Sequence, residues 1–180
     1  MKKCLVSFCF LFGVLAIAGR GSLTPFKTFR IGSETLVQQK SNHNGIDSVV
    51  TRVVDGDTVI INSGEKVRLI GINTPETVDP KKQRECFGKE ASDESKKILT
   101  GRTVHLETDP SQDLYDKYGR MLAYVFLQDG TNFNQLMIEN GYGYEYTYDL
   151  PYVYQKDFKQ AEIEAQKNKR GLWASGVCGN

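Results

Sequence analysis

The chain has 180 residues, of which 39% are hydrophobic, and this is enough for one domain with a full core. Its 23 basic side chains nearly balance 22 acidic ones, as in many globular proteins. This balance argues against a protein that binds nucleic acid through overall positive charge, so any such contact would depend on local clusters.

The first 18 residues have the pattern of a secretory signal. Two lysines precede an apolar run from Cys4 to Ala18, and the run ends in a small-x-small sequence typical of a cleavage site. The apolar run is short for a membrane span, which needs about 20 residues. We therefore expect a secreted or periplasmic protein with no membrane anchor in its mature form. Residues 19–46 are polar with little periodicity, and we expect a flexible leader or propeptide there.

The main domain is predicted over residues 47–176, followed by a short tail at 177–180, and it begins with three strands. Ser48 to Val54 is rich in valine and is the first predicted strand. The apolar runs Thr58 to Ile61 and Val67 to Ile72 are joined by an Asn-Ser-Gly turn, which predicts a β-hairpin.

The hairpin carries polar side chains where a plain hairpin does not need them. Asp57 precedes its first strand, Arg68 lies inside the second, and Asn73 and Glu76 follow the second. Antiparallel pairing sets the start of one strand beside the end of the next, so these groups are expected to share a pocket. Part of the pattern has simpler explanations, since Asp-Gly is a common turn signal and Thr-Pro-Glu a common helix start. A buried guanidinium needs acidic or phosphate partners, and Arg68 therefore favours a site.

The rest of the chain alternates between helix and strand patterns. Helical spacing of apolar residues predicts three helices, each followed by a glycine. They run from Phe87 to Leu99, from Phe133 to Ile138, and from Tyr154 to a point before Gly171. Alternating apolar residues predict two more strands, Thr103 to Thr108 and Met121 to Leu127, and an aromatic segment runs from Tyr142 to Tyr146.

A basic segment that includes Lys81 and Lys82 lies between the hairpin and the first helix. It is either a solvated loop or a phosphate-steering rim of the site, and it can be both. Arg120 stands at the entrance of the strand that begins at Met121. A second guanidinium is therefore expected to converge on the hairpin pocket.

Six tyrosines lie between residues 142 and 154. Tyr142, Tyr144 and Tyr146 are predicted to pack in a strand and in the core. Tyr152 and Tyr154 follow a proline on a predicted loop, where they would stack on nucleic-acid bases without reading sequence.

Cys86 and Cys178 are the two cysteines that remain after removal of the signal segment. An even pair in an oxidising compartment predicts a disulfide, and two unpaired thiols are the alternative. A zinc site has little support, because these cysteines and the two histidines show no ligand spacing.

Six motifs resemble those of the staphylococcal nuclease (thermonuclease) family, and they recur in family order over about residues 47–174. In chain order they are DGDT, RLIGINTPET, PKK, FGKEAS, DKYGR and YVY. The resemblance implies an α+β fold, a five-stranded OB-fold barrel with three helices, which agrees with the five strands predicted above.

The same resemblance implies roles for individual residues. The catalytic residues fall on Arg68, Glu76 and Arg120. A single calcium ion would be held by Asp57, by Asn73 and by the backbone carbonyl of Thr74. Contacts with substrate are expected at Lys81, Lys82, Lys117, Tyr118, Tyr152 and Tyr154, with Tyr118 approaching a terminal phosphate.

These residue types suit phosphodiester hydrolysis. The reaction needs a cation to neutralise phosphate, a base to activate water, and donors for the charge that builds on equatorial oxygens. Asp57 and Asn73 offer hard oxygen ligands for calcium or magnesium, and Glu76 is placed to accept a proton. Asn73 stands where the family commonly has an acid, so we expect weaker metal binding or a changed preference between ions.

The sequence therefore predicts a secreted, metal-dependent nuclease that hydrolyses DNA and RNA with little sequence preference and acts as a monomer. The alternative is a non-catalytic OB-fold module that binds nucleic acid. Binding alone does not require Asp57, Glu76 and two arginines together, so their joint presence favours the enzyme.

Overall fold

The computed structural model describes residues 45–77 and 85–179. The predicted signal segment, residues 19–44 of the predicted leader, and the predicted phosphate-steering residues Lys81 and Lys82 lie outside the described residues. Within the described ranges, no helix is long and apolar enough to cross a membrane.

The part of the chain that the structure describes contains seven strands and three α-helices. The strands are β1 (Gly45–Asp55), β2 (Thr58–Ile61), β3 (Lys66–Leu69), β4 (Ile72–Asn73), β5 (Thr103–Glu107), β6 (Met121–Phe126) and β7 (Tyr144–Glu145). The helices are α1 (Gly88–Leu99), α2 (Phe133–Glu139) and α3 (Gln155–Lys167), followed by a 3₁₀ turn at Gly171–Trp173. Each predicted helix is present, and its start differs from the prediction by at most one residue.

Five strands close into a barrel in the order β1-β2-β3-β6-β5, as in an OB fold. Neighbouring strands are antiparallel except β3 and β6, which run parallel with Val67 beside Met121. Successive side chains of a strand point to opposite faces, and on β5 this buries Val104 and Leu106. The predicted α+β fold, with five barrel strands and three helices, is confirmed.

The second strand of the predicted hairpin is shorter than expected. The sequence predicts one strand from Val67 to Ile72, but β3 ends two residues before Gly71 and β4 begins directly after it. Gly71 has a φ of +77°, and β4 turns away to pair with β7 outside the barrel. The apolar pattern hides this break because Ile70 is also buried. The turn brings Thr74 against the loop before β2.

One hydrophobic core receives side chains from all five barrel strands and from the three helices. Asn134 of α2 is fully buried within this core and binds backbone groups that the strand break leaves without a strand partner. Its side-chain amide donates to the carbonyl of Ile70 (2.8 Å) and its Oδ1 accepts from the backbone N–H of Val125 (3.0 Å). Buried backbone groups need such partners, so α2 fixes the position at which β3 ends.

Cys86 and Cys178 form a disulfide, so the predicted pair is confirmed. Their Cα atoms are 5.4 Å apart, and the two cysteines lie 92 positions apart in the sequence. The bond ties the entrance of α1 to the turn at the C-terminal end of the described chain.

Candidate active site

A cleft of about 870 Å³ lies beside the hairpin formed by β2 and β3. Its walls come from the segments around β2 to β4, from residues 111–122 and from residues 146–152. The predicted catalytic and metal-binding residues all line this cleft: Asp57, Arg68, Asn73, Thr74, Glu76 and Arg120. Segments that are distant in sequence thus place carboxylates, an amide and two guanidiniums in one space.

Asp57 lies directly before β2 and is only 7% exposed. Its Oδ2 accepts hydrogen bonds from the backbone N–H of Thr74 (2.9 Å) and from the Thr74 hydroxyl (3.2 Å). Its Oδ1 accepts one from the Thr58 hydroxyl (3.0 Å), and Arg68 forms an ion pair of 3.2 Å with Oδ2. These contacts offset the cost of burying a carboxylate and fix the direction of its oxygens.

Arg68 has an 11% exposed side chain whose donors are held from several sides. Its Nη1 donates to the carbonyls of Leu69 (2.6 Å) and Ile72 (2.7 Å), and its Nη2 donates to Oδ1 of Asn73 (3.2 Å). Burial lowers the pKa of Arg68, and the Asp57 carboxylate opposes this effect. An arginine stays charged in proteins, so the cleft contains a fixed cation with the fork geometry that suits phosphate.

Asp55 joins the cleft to the segment that follows β4. It is 6% exposed, and its Oδ1 accepts from the Thr77 hydroxyl (2.8 Å) and from the N–H of Gly56 (2.8 Å). Burial raises the pKa of Asp55; these hydrogen bonds oppose the rise and the Asp57 charge adds to it. Its Asp-Gly sequence indicates only a turn, and no sequence pattern predicts that this carboxylate holds the residue beside Glu76.

Glu76 is half-buried in the same cleft. Its Oε1 accepts from the N–H of Thr77 (2.9 Å). Its own N–H donates to Oε2 of Glu85 (3.0 Å), and its carbonyl accepts from the N–H of Glu85 (3.0 Å). A carboxylate held in a fixed position at the cleft has the placement that a general base needs.

Arg120 lies at the entrance of β6 and is held by Asp116. Its Nε and Nη2 both contact Oδ2 of Asp116 at 2.6 Å, and Oδ1 of Asp116 accepts from the N–H groups of Tyr118 (2.9 Å) and Arg120 (3.0 Å). Burial alone would raise the pKa of Asp116, but the hydrogen bonds from Arg120 and Tyr118 lower it. The Arg120 charge also contributes to the lowered pKa of Arg68, and both guanidiniums line the same cleft.

Exposed tyrosines line the cleft on two sides. Tyr118 and Tyr148 are each 71% exposed and Tyr146 is 43% exposed. The Nζ of Lys117 lies 5.2 Å from the ring centre of Tyr118 and 5.9 Å from that of Tyr148. Cζ of Arg120 lies 5.4 Å from the Tyr118 ring. Open aromatic faces beside positive charge are typical of sites that bind single nucleic-acid strands.

The structure corrects the expected stacking roles of Tyr152 and Tyr154. Tyr152 is only 6% exposed, and its hydroxyl donates to Oε1 of Glu145 (2.9 Å). Tyr154 is half-buried, and its hydroxyl donates to Oε1 of Glu107 (3.1 Å). Its ring packs on that of Tyr124, with 4.6 Å between the ring centres. Both rings are covered because α3 begins directly after them and packs its own Phe158 against them and Tyr124.

The exposed aromatic wall that the sequence assigned to that pair is supplied instead by Tyr146 and Tyr148. Tyr146 was expected to pack inside, so this prediction was also wrong. Lys117 and Tyr118, the other expected substrate contacts among the described residues, do lie at the cleft. Their exposure follows from the tight turn that Asp116 organises.

Oδ2 of Asp57 and Oδ1 of Asn73 each lie 3.2 Å from Nη2 of Arg68, so the two oxygens are neighbours with the guanidinium between them. Among the described residues, no group of three or more His, Cys, Asp or Glu side chains is placed to hold a metal ion. An ion bound beside the Asp57 carboxylate would therefore need neutral ligands as well, the amide oxygen of Asn73 and a backbone oxygen such as that of Thr74. Hard oxygen donors of this kind fit calcium or magnesium.

Comparison with known proteins gives one consistent group. The family described as "Staphylococcal nuclease homologue" matches residues 66–175. The chain is 41% identical to the thermonuclease of Staphylococcus hyicus over 138 residues, and this aligned region covers 75% of this chain and 80% of that protein. Over 145 residues it is 40% identical to the thermonuclease of Staphylococcus intermedius, with 79% and 84% covered. Endonuclease YncB of Bacillus subtilis is 33% identical over 146 residues, with 78% and 68% covered.

Proposed function

The chain belongs to the staphylococcal nuclease family, and from this premise we propose that it is a metal-dependent nuclease that hydrolyses DNA and RNA with little sequence preference. The observation that carries the proposal is the single cleft that contains Asp57, Arg68, Glu76 and Arg120. Relatives named thermonuclease and endonuclease support the reaction class. A module that only binds nucleic acid would use the tyrosines and the positive charges, but it would not need a half-buried carboxylate beside them.

Glu76 would accept a proton from the water that attacks phosphorus. The Thr77 N–H holds its Oε1, and Thr77 is itself held by the buried Asp55. A general base contributes about 10²- to 10⁴-fold to rate when it is held within reach of the proton. The chain of contacts from Asp55 to Glu76 would supply that fixed position.

Arg68 and Arg120 would bind the phosphate group. Negative charge builds on its equatorial oxygens during attack, and guanidinium donors stabilise that charge. Nη1 of Arg68 would stay on the carbonyls of Leu69 and Ile72, while Nη2 would exchange the Asn73 amide for a phosphate oxygen. The side chain would thus keep its position while one of its donors turns to substrate.

Asp57, Asn73 and the carbonyl of Thr74 would hold one calcium ion, or a magnesium ion. When bound, such an ion supplies positive charge that neutralises the phosphate. The hydrogen bonds from Thr58 and Thr74 would hold the Asp57 carboxylate ready for it.

Tyr118, Tyr146 and Tyr148 would hold the nucleotide bases by stacking. Every base has a π-face, so stacking on open rings is tolerant of sequence. Lys117, between the Tyr118 and Tyr148 rings, would add a charge for the backbone.

We also propose that the protein acts outside the cytoplasm, secreted or in the periplasm, and that it is a monomer. The signal pattern in residues 1–18 supports export. The disulfide supports the same location, because such bonds persist in oxidising compartments.

Cleavage assays on the purified mature protein test the reaction and its metal requirement. We expect DNA and RNA oligonucleotides to be cut with calcium and cleavage to stop when a chelator removes the ion. Calcium restored after chelation should restore activity. Cleavage that continues in chelator would contradict the metal requirement, and the absence of cleavage with calcium or magnesium would leave only the binding module.

A further inference from the structure

Glu76 and Glu85 are joined by two hydrogen bonds that run in opposite directions, and we call this pair of bonds the clasp. The N–H of Glu76 donates to Oε2 of Glu85 at 3.0 Å, and the N–H of Glu85 donates to the carbonyl of Glu76 at 3.0 Å. The peptide groups on both sides of the Glu76 Cα are therefore held by one residue. Because the side chain starts at that Cα, the clasp fixes the origin of the Glu76 carboxylate.

The first residue of α1 lies against the same segment. A Cβ on Gly88 would be 2.8 Å from the carbonyl oxygen of Pro75 and 2.7 Å from Cγ2 of Thr77, so this approach requires glycine. The N–H of Gly88 donates to the carbonyl of Glu85 (3.2 Å). The clasp is thus built directly onto the start of the helix.

The disulfide lies next to the clasp, because Cys86 follows Glu85 in the chain. Glu85 and Cys86 are both exposed, so burial contributes little to holding them in place. The bond to Cys178 supplies a covalent anchor, and the ring of Phe87 adds a contact with Tyr142 at 5.7 Å. An exposed segment is in this way fixed beside the cleft.

We propose that Glu85 is a positioning residue for Glu76 and that the disulfide between Cys86 and Cys178 holds Glu85 in that position. The inference rests on the proposed function, in which Glu76 accepts the proton of the attacking water. Glu85 acts through an acceptor oxygen and not through its charge, because its partner is a neutral backbone N–H. Formation of the disulfide therefore organises the catalytic centre as well as the fold.

Two substitutions of Glu85 separate an acceptor role from a charge role. Glu85→Ala removes the acceptor oxygen, and we expect it to lower kcat on a DNA oligonucleotide about 10- to 100-fold with little change in KM. Glu85→Gln keeps an acceptor oxygen without the charge, so its kcat should stay near the wild-type value. Glu94→Ala is the matched control, since Glu94 lies on α1 and pairs with Lys97 on the surface, and it should have no effect.

Hydrogen exchange of the Glu76 amide gives a readout that does not depend on activity. In the wild type this N–H is protected by Glu85, so its exchange should become faster in Glu85→Ala and stay slow in Glu85→Gln. Wild-type kcat or unchanged exchange in Glu85→Ala would overturn the proposal. Equal loss of kcat in both Glu85 variants would also overturn it, since that result would assign Glu85 a role through its charge.

The double variant Cys86→Ala with Cys178→Ala tests the anchor, after circular dichroism has shown it folded at the assay temperature. We expect a lower kcat and faster exchange of the Glu76 amide. Adding Glu85→Ala to this variant should then lower kcat by a smaller factor than it does in the wild type, because both changes disturb the same contact between Glu85 and Glu76. Wild-type kcat without the disulfide, or fully additive losses, would overturn the anchor. A wild-type protein that cuts nothing would contradict the nuclease proposal instead, and the exchange measurements would still decide the role of Glu85.

Discussion

Asn73 gives the proposed metal site one negative charge fewer than the aspartate implied at this position by the family resemblance. Its amide oxygen lies near the Asp57 carboxylate, since both contact Nη2 of Arg68 at 3.2 Å, and calcium affinity depends on ligand charge. We expect Asn73→Asp to bind calcium about tenfold more tightly, as measured by titration calorimetry without substrate.

Asn62→Asp is the control for that change in charge. Asn62 follows β2 at the end away from Asp57 and accepts from the N–H of Val49 (3.3 Å), a contact that a carboxylate can keep. Calcium affinity should be unchanged in this variant. Equal affinities of Asn73→Asp and the wild type would contradict Asn73 as a ligand.

Loss of the Tyr148 ring is expected to weaken substrate binding, whereas loss of the Tyr152 ring is expected to lower stability. Tyr148 is 71% exposed at the cleft, so Tyr148→Ala should weaken binding of a single-stranded oligonucleotide by about 1–3 kcal/mol and leave stability unchanged. Tyr152 is buried and bonded to Glu145, so Tyr152→Ala should lower the free energy of unfolding by about 3–5 kcal/mol.

Fluorescence anisotropy with the oligonucleotide and urea unfolding measure these two effects. Loss of stability in Tyr148→Ala with unchanged binding would contradict the assignment of the exposed ring to substrate. Unchanged stability in Tyr152→Ala would show that the ring is not part of the core.

At the level of residues, the sequence was sufficient for the polar groups of the cleft and insufficient for its tyrosines. Pairing of β2 with β3 places Arg68 beside Asp57, and such pairing follows from local pattern. Asn73 follows a few residues later in the chain, and the turn at Gly71 brings it to the same place. Whether Tyr148 or Tyr152 is open depends on where α3 packs, and no local pattern distinguishes the two. Burial by a later helix is a tertiary effect, and it reversed the expected assignment.

Gly71 ends the β3 segment in a conformation and a space that only glycine tolerates. Its φ is +77°, and a Cβ there would lie 2.6 Å from Cε2 of Tyr152 and 2.8 Å from Cδ2 of Phe158. Gly64 has a φ of +87° with open space around it. We expect Gly64→Ala to cost about 1–2 kcal/mol of unfolding free energy from the backbone alone. Gly71→Ala should cost about 1–3 kcal/mol more from overpacking.

Urea unfolding of both glycine variants measures the difference. Equal losses would show that the rings of α3 and its entrance can move aside, and that the turn at Gly71 is not fixed by them.

At the level of elements, the pattern of the sequence predicted the barrel strands and the helices but not the break after β3. Ile70 and Ile72 are both buried, so the apolar run continues through the turn. The break depends on Tyr152 and on the Asn134 contact with the Ile70 carbonyl, both distant in sequence. Long-range contacts of this kind leave no trace in a window of a few residues.

The turn from Asp116 to Arg120 should make stability depend on pH. Asp116 has a lowered pKa in the folded protein, so it releases its proton more readily when folded than when unfolded. Its stabilisation is therefore complete above its unfolded pKa of about 3.9 and is lost as pH falls through the lower folded value.

Asp116→Asn removes this titration. We expect the wild type to be more stable than the variant at about pH 7, and the difference to shrink on acidification below about pH 4. Urea unfolding over that range measures it. A difference that stays constant or grows in acid would contradict the charged pair of Asp116 and Arg120.

For the whole molecule, the disulfide closes most of the described domain into one loop. It joins residues 92 positions apart, and restriction of the unfolded chain by such a loop is worth about 4–5 kcal/mol. We expect the double variant Cys86→Ala with Cys178→Ala to lose about that much unfolding free energy in urea. A loss below about 1 kcal/mol would mean that the unfolded chain gains little freedom without the bond.

The closed barrel explains how distant segments form one cleft. β3 and β6 run parallel, and Arg68 is paired with Leu122, two residues after Arg120. Residues two apart lie on the same face of a strand, so this pairing sets both arginines near one another. Closure of the barrel thus brings the second arginine to the polar groups of the hairpin, as the proposed binding of one phosphate by both arginines requires.

Glu76→Gln tests whether this cleft hydrolyses nucleic acid with Glu76 as the base. Cleavage rate and oligonucleotide affinity are measured on the same preparation with calcium present. We predict that the variant binds the oligonucleotide as the wild type does and cuts it about 10²- to 10⁴-fold more slowly. A Glu76→Gln protein that cuts at the wild-type rate would contradict the account.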